Sequence, residues 1–170
     1  TAEMAFRASM IGHLVLSTLH TNDAPSAASR LVDMGVEPYL IASSMIGIVA
    51  QRLVRRICPR CREQVDPTEM ELERLELKPE QAKKIKFHHG RGCAMCRNTG
   101  YSGRIGVYEL MQMTPELRDA IANQATASEI RRIALRGGMR SLKYDGLSKV
   151  NAGVTTAGEV ITLLFIGEEQ

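Results

Sequence analysis

Two Cys-x-x-Cys pairs constrain this chain more than any other feature of its sequence. The pairs are Cys58/Cys61 and Cys93/Cys96, and the chain has no other cysteine. Each pair closes a tight turn that aims two thiolates at one point, and tetrahedral zinc takes four such ligands at about 2.3 Å. The interval from Cys61 to Cys93 exceeds the loop of a simple zinc ribbon, but the entropy of loop closure grows only logarithmically with length. The pattern predicts a structural zinc site with no open position for catalysis.

Two redox dithiols or a pair of disulfides are the alternatives to zinc. A redox Cys-x-x-Cys normally follows a strand of a thioredoxin-like unit and does not occur twice. The sequence shows no signal-peptide pattern at its start, and it has no apolar run of the roughly 18 residues that a membrane span needs. Thiols without a targeting segment fit a reducing cytosol, which favours metal ligation over disulfides.

The residues before the first cysteine pair, 1–57, are predicted to form an α/β arrangement. An apolar run at 13–19 is typical of a buried strand, and Asp23 with Pro25 gives the start of a helix. The predicted elements are a helix already under way at 1–10, a buried strand at 13–19, helices at 23–35 and 37–45, and a strand at 47–54.

The rest of the chain divides into a metal-clipped insert, 58–104, and a mostly helical segment, 105–170. The insert is predicted to hold one amphipathic helix at 67–77 and a short one after Pro79. The second segment opens with a strand at 105–111. Helices then follow from Thr114, from a capping box at Thr126 and from another at Thr156 that opens a terminal helix through Leu164.

Two histidines, His13 and His20, bracket the apolar run. Seven residues of strand separate their positions by roughly 20 Å, so an unbroken strand prevents them from sharing one metal ion. They can be structural histidines. Alternatively, His20 follows the carboxyl end of the predicted strand, where open α/β sheets bind ligands, and its imidazole can contact a phosphate there. The spacing alone leaves both interpretations open.

A string of arginines around the first cysteine pair raises the possibility of nucleic-acid binding. Its members are Arg52, Arg55, Arg56, Arg60 and Arg62. However, no aromatic residues interleave with them for base stacking, a run of acidic residues follows immediately, and the net charge of +3 is mild. We therefore expect a solvated or subunit-contacting face and no specific nucleic acid. His88 and His89 are expected to be exposed rather than to join the metal site.

Several segments together resemble the type II secretion and type IV pilus assembly ATPases. Residues 12–24, GHLVLSTLHTNDA, resemble the histidine box of that family, and 30–38 and 50–58 resemble the segments that follow it there. The tetracysteine insert, 99–104 and 108–110 match the zinc-bearing branch of the family. The resemblance spans nearly the whole chain, and the combination of histidine box and tetracysteine is highly specific.

The resemblance implies an architecture, a set of site residues and a cellular role. It implies an α/β fold in which 1–57 are the C-terminal part of a RecA-like P-loop ATPase core, 58–104 a tetracysteine zinc subdomain and 105–170 a small helical subdomain. His13 and His20 would be the histidine-box pair, and the four cysteines would hold structural Zn²⁺. The full-length protein would be a homohexamer that uses ATP and Mg²⁺ in the bacterial cytoplasm. It would dock on an inner-membrane platform protein and drive extrusion of pilin-like filaments.

The resemblance also sets what this stretch of sequence is expected to do alone. No Gly-x-x-x-x-Gly-Lys-Ser/Thr loop occurs in it, and in the family that loop and the Walker B acid precede the histidine box. Without the residues that hold phosphate and Mg²⁺, these 170 residues alone are expected not to hydrolyse ATP. The alternative function is a stand-alone zinc-ribbon module that binds nucleic acid or protein, which leaves the α/β segment 1–57 unexplained.

Overall fold

The computed structural model describes residues 2–165 as a mixed α/β chain. Its helices in that range are α1 (Ala2–Met10), α2 (Ala24–Asp33), α3 (Pro38–Ser44), α4 (Glu69–Arg74), α5 (Pro79–Ala82), α6 (Pro115–Ala122), α7 (Ala127–Arg136), α8 (Leu142–Asn151) and α9 (Ala157–Phe165). Its strands are β1 (Gly47–Ile57), β2 (Arg62–Val65), β3 (Phe87–Gly90) and β4 (Tyr101–Gln112). β1 pairs with β4, and β2 pairs with β3.

The described residues form two compact units. The first contains residues 2–50 and 109–141, and the second contains 51–108 and 142–165. The contacts therefore group the metal-binding segment with the last two helices, α8 and α9. The predicted division of the chain after residues 57 and 104, into an ATPase core, a zinc subdomain and a helical subdomain, stays a prediction.

The first unit is built around the apolar faces of α2, α3, α6 and α7. Local sequence starts these helices: Asp23 accepts a hydrogen bond from the Ser26 N–H at the start of α2, and Thr126 and Glu129 form the predicted capping box of α7. Helix packing then buries a shared cluster. Its members are Ala24, Ala28, Leu31, Val36, Leu40, Ile41, Ala42, Ala50, Met111, Met113, Leu117, Ile121, Ile130 and Ala134.

The buried strand predicted at 13–19 is wrong for this structure. Residues 13–20 have no regular secondary structure and are exposed throughout, with Leu14 77% and Leu16 87% accessible. A strand exists only where a neighbouring backbone supplies its hydrogen bonds. Among residues 2–165 the strands pair as β1–β4 and β2–β3, so the apolar run finds no partner there.

The second unit contains a hairpin that the sequence did not reveal. β2 and β3 are antiparallel, with Arg62 opposite Gly90 at one end and Val65 opposite Phe87 at the other. α4 and α5 lie between the two strands in the chain, after Val65 and before Phe87. The hairpin and α4 pack with α8 and α9 around a cluster of Leu75, Phe87, Val150, Ala157, Val160 and Ile161.

Most other predicted elements are confirmed, with altered ends. The strands at 47–54 and 105–111 extend to β1 and β4, and the helix at 67–77 shortens to α4. The capping box at Thr156 is half formed: the Thr156 hydroxyl accepts from the Glu159 N–H, but the Glu159 carboxylate binds Arg55. α8 was not predicted.

Candidate metal centre

The four cysteines converge on one point in the second unit. Their sulfur atoms all lie within 4.8 Å of one another. Separations are 3.9 Å for Cys58–Cys93, 3.9 Å for Cys61–Cys96 and 3.7 Å for Cys93–Cys96. Four sulfurs at the corners of a tetrahedron around zinc, each about 2.3 Å from it, are about 3.8 Å apart. The donor set therefore fits a tetrahedral metal ion in both chemistry and size.

Local backbone geometry forms each pair, and the hairpin brings the pairs together. Cys61 N–H bonds the Cys58 carbonyl across the first turn, and Asn98 N–H bonds the Cys93 carbonyl across the second. Arg97 and Asn98 adopt left-handed backbone angles there, with φ of 52° and 60°. Cys61 immediately precedes β2 and the second pair follows β3, so pairing of these strands closes the long interval between the cysteines.

Backbone N–H groups point at the sulfur of Cys96. The Cys93 N–H donates to it at 3.2 Å and the Gly100 N–H at 3.3 Å. Burial alone would raise the pKa of the Cys96 thiol, but these two donors favour the thiolate and bring the pKa below the ordinary thiol value. Burial raises the pKa of the Cys61 thiol. The two N–H donors therefore favour the thiolate form of Cys96, the form that binds a cation.

Gly100 connects the two cysteine turns through its backbone. Its N–H donates to Cys96 Sγ, and its carbonyl accepts from the Cys58 N–H at 2.9 Å. Its φ of +76° belongs to the left-handed region, and a Cβ added there would meet the Gly90 carbonyl oxygen at 2.3 Å. The site therefore requires a residue without a side chain at position 100.

The two adjacent histidines of β3 stay outside the sulfur cluster. His89 is exposed, as expected, and its Nε2 lies 2.7 Å from Glu63 Oε1. His88 is partly buried, so the expectation of an exposed side chain is wrong for it. Its Nδ1 is shielded from solvent and has no hydrogen-bond partner in the described structure, and the ring lies against Gly153.

His13 and His20 lie apart from the metal centre, on the irregular segment between α1 and α2. Both side chains are exposed. Because 13–19 is not a strand here, neither histidine has the strand-end position from which a phosphate contact was inferred. Their assignment as a functional pair stays a prediction.

Glu109 is a buried carboxylate that the sequence patterns did not single out. It is 1% exposed, and its Oε1 accepts a hydrogen bond from the Ala24 N–H at 3.0 Å. An anion at a helix N-terminus satisfies an otherwise unpaired donor and interacts favourably with the helix dipole. The available signal was a charged residue at an inward position of β4, between buried Val107 and Met111. Glu109 fixes the start of α2, a few positions after His20.

The second unit also contains an arginine that is paired with a carboxylate. The Arg55 guanidinium binds the Glu159 carboxylate at 2.7 Å and lies 4.1 Å from the centre of the Tyr101 ring. The Tyr101 hydroxyl in turn bonds Thr156 at 3.0 Å. These contacts tie β1 and β4 to the start of α9, so Arg55 has a structural partner and is not a free cation of the arginine string.

In residues 2–165, none of the helices combines the length and the apolar character that crossing a membrane requires. The whole stretch from residue 1 to residue 162 matches the family model described as "Type II/IV secretion system protein". A tetracysteine cluster within an α/β chain defines the structural class of this protein. The match shows that the chain belongs to this family. The match includes the segment 1–57, which a stand-alone zinc ribbon leaves unexplained.

Individual relatives are similar over nearly all of the chain. The type IV pilus assembly ATPase PilB of Thermus thermophilus is 45% identical over 161 residues, 95% of this chain and 18% of that protein. The type II secretion system protein E of Pseudomonas aeruginosa is 48% identical over 95% of this chain and 32% of its own length. PilB of Myxococcus xanthus is 44% identical over 95% and 29%. The chain thus spans about a fifth to a third of these relatives.

Proposed function

We propose that the full-length protein hydrolyses ATP to power type II protein secretion or type IV pilus assembly. The observation that carries this proposal is the 42–48% identity, over at least 95% of the chain, to relatives named for those two systems. In this proposal the ATPase drives extrusion of a pilin-like filament at the inner membrane, a task that we expect both systems to share. The activity belongs to the full-length protein with bound ATP and Mg²⁺.

We further propose that Cys58, Cys61, Cys93 and Cys96 hold a structural Zn²⁺ ion. Support comes from the sulfur separations and from the N–H donors at Cys96. All four coordination positions would be protein thiolates, so the ion would stabilise the fold and leave none for a substrate. Elemental analysis of the full-length protein should give about one zinc per chain, and chelation should unfold the second unit preferentially. A folded, zinc-free preparation would refute the assignment.

The remaining assignments concern the assembly around the proposed ATPase. We infer that residues 1–57 belong to a RecA-like core and that His13 and His20 act near the nucleotide. The protein would work as a homohexameric ring at the cytoplasmic side of the bacterial inner membrane, bound to a platform protein. Identity to the named secretion and pilus ATPases supports these inferences.

Steady-state ATP hydrolysis by the full-length protein tests the proposal. We expect magnesium-dependent turnover in the wild type and a loss of about 10- to 1000-fold in His20→Ala, comparable with the removal of a positioned electrostatic or acid–base group. His89→Ala is the matched control, because His89 is also exposed but pairs with Glu63 on the hairpin of β2 and β3. Sedimentation of the same preparations separates a catalytic loss from a loss of assembly. An inactive wild type with intact zinc would reject the ATPase proposal.

A further inference from the structure

The metal end of the second unit presents unpaired positive charge. Arg60, Arg91 and Arg97 each lie within two residues of a cysteine of the cluster and are exposed. Within the described part of the chain, none of their guanidinium groups has an ion pair or hydrogen bond. Met95, 63% exposed, lies on the same cysteine turn. We call these four residues the head surface.

Other arginines of the second unit do have partners within the chain. Arg55 binds Glu159, and Arg62 donates to the Gly153 carbonyl at 3.3 Å. A backbone hydrogen bond links the head surface to the first cysteine turn, since the Arg91 N–H donates to the Cys61 carbonyl at 3.1 Å. Unpaired arginines are suited to bidentate binding of carboxylates.

The same unit carries unpaired negative charge on α4. Glu69 and Glu73 are exposed and four residues apart, so they share one face of the helix. Their carboxylates, too, have no partner among residues 2–165. Met70, 62% exposed, adjoins them. We call these three residues the tail surface. The capping box of Thr68 and Glu71 fixes the start of this helix and occupies the Glu71 carboxylate internally.

Head and tail lie at opposite ends of the hairpin. The cysteine turns join β2 and β3 at the Arg62/Gly90 end, whereas α4 follows Val65 at the other end. Three residues of strand rise separate the two ends by about 10 Å before the length of the turns is added. No ion pair joins the two surfaces within one chain over residues 2–165. Complementary surfaces at opposite ends of one hairpin can meet between two copies instead.

We propose that the head surface of one copy binds the tail surface of a neighbouring copy, with Arg60 and Arg97 facing Glu69 and Glu73. Each copy then offers one head and one tail, a heterologous contact that closes into a ring when the rotation between copies allows it. The two exposed methionines supply apolar area beside the ion pairs. The inference rests on the ring proposed above, and it identifies a contact between the second units of neighbouring copies within that ring.

The tail surface of a second copy is a better partner for the head surface than a membrane or a nucleic acid is. An anionic membrane would attract three arginines only weakly. Single-stranded nucleic acid requires aromatic stacking platforms that the head lacks. The arginines could also do no more than offset the negative charge of a metal bound to four thiolates, in which case their loss would change metal retention and leave association intact.

Charge exchange in the full-length protein tests the contact. Sedimentation velocity at low salt compares the wild type with Arg60→Glu/Arg97→Glu and with Glu69→Arg/Glu73→Arg. We expect each double variant to associate on the order of tenfold more weakly, and the combined quadruple variant to regain most of the wild-type association, because every charge pair is restored with inverted sign. Arg104→Glu/Arg132→Glu changes the net charge equally at exposed arginines outside both the head surface and the proposed ATPase core, and it should leave association unchanged.

The outcomes separate this inference from the proposed function. A wild type that does not self-associate with nucleotide rejects the ring itself. A wild-type ring that all variants form equally well overturns the head-to-tail contact alone, as does a quadruple variant that fails to recover while its zinc content is normal. If Arg60→Glu/Arg97→Glu loses zinc but associates as the wild type does, the arginines only offset the charge of the metal site, and the head-to-tail contact is overturned. Binding of the head to phosphatidylglycerol vesicles, with association unaffected by charge reversal, assigns it to a membrane and also overturns the contact.

Discussion

Substitution of Gly100 by alanine tests whether the backbone around the metal centre is as tightly determined as the structure indicates. The new Cβ would lie 2.3 Å from the Gly90 carbonyl oxygen, a separation that can be relieved only by moving one of the two backbones. Movement of Gly100 stretches both of its bonds to the cysteine turns, the N–H to Cys96 Sγ and the carbonyl to Cys58 N–H. The substitution therefore acts on both cysteine pairs at once.

The magnitude follows from three contributions. A non-glycine residue in the left-handed region costs about 1–2 kcal/mol. Each of the two weakened hydrogen bonds contributes about 1 kcal/mol of net stability. Gly100→Ala should therefore lower the free energy of unfolding of the metal-bound protein by about 3–4 kcal/mol. Loss of an outer contact to a ligating sulfur should weaken zinc binding by about 10- to 100-fold.

Gly103, which lies in β4 three residues after Gly100, provides a matched control. Its φ is +75°, nearly the same as that of Gly100, but a Cβ added there meets no atom within 4 Å. Gly103→Ala therefore carries the conformational cost without the clash and should lose only about 1–2 kcal/mol, with unchanged zinc affinity.

Competition for zinc with a chromogenic chelator, together with denaturant unfolding, measures both quantities on the same preparations. We expect a clear difference between the two variants in zinc affinity and a smaller one in stability. Equal effects of Gly100→Ala and Gly103→Ala on both measurements would refute this expectation, because the Gly90–Gly100 contact would then not hold the metal centre together.

Three further predictions concern packing, pH and a buried charge. Gly146→Ala should destabilise the second unit by about 1–3 kcal/mol through overpacking, since its Cβ would lie 2.9 Å from a methyl of Val160; Val160→Ala in the same chain should relieve part of the loss in thermal unfolding. Backbone hydrogen bonding from Thr126 lowers the pKa of Glu129, so its contribution is present at neutral pH and lost as pH falls through the lowered pKa. The melting-temperature difference between wild type and Glu129→Ala should thus shrink on acidification. Glu109→Ala should cost about 1–3 kcal/mol, because it leaves a buried N–H of α2 without its acceptor, and an unchanged melting temperature would contradict this role.

Local patterns predicted the metal centre and the helix starts because both depend on a few adjacent residues. Two Cys-x-x-Cys turns position their own sulfurs in pairs, and Asp23 and Thr126 cap α2 and α7 through N–H groups within three residues. The hairpin of β2 and β3 escaped prediction because its strands are four residues each, with mostly polar sequences, REQV and FHHG. Their pairing depends on cores and turns distant in the sequence.

The apolar run at 13–19 is a case in which the local sequence pattern gave a wrong prediction. Its composition favours a buried strand, but burial and strand pairing need a second backbone, and the described residues supply none. The roles of His13 and His20, which were inferred from the end of that strand, therefore rest on the family resemblance alone. The grouping of elements in the second unit is a related case, since α8 and α9 pack beside the hairpin of β2 and β3 although β4, α6 and α7 intervene in the chain.

The sequence by itself determined which atoms can bind a metal, where the helices begin, and to which family the chain is similar. These properties reside in residue identity and short spacing. Only the tertiary structure decided that the four sulfurs lie within 4.8 Å of one another, that Gly100 must lack a side chain, and that Glu109 is buried at the start of α2. It also decided that unpaired arginines and unpaired carboxylates lie at opposite ends of one hairpin. Each of these depends on the distance between segments remote in the chain, which packing and strand pairing set and which no local pattern specifies.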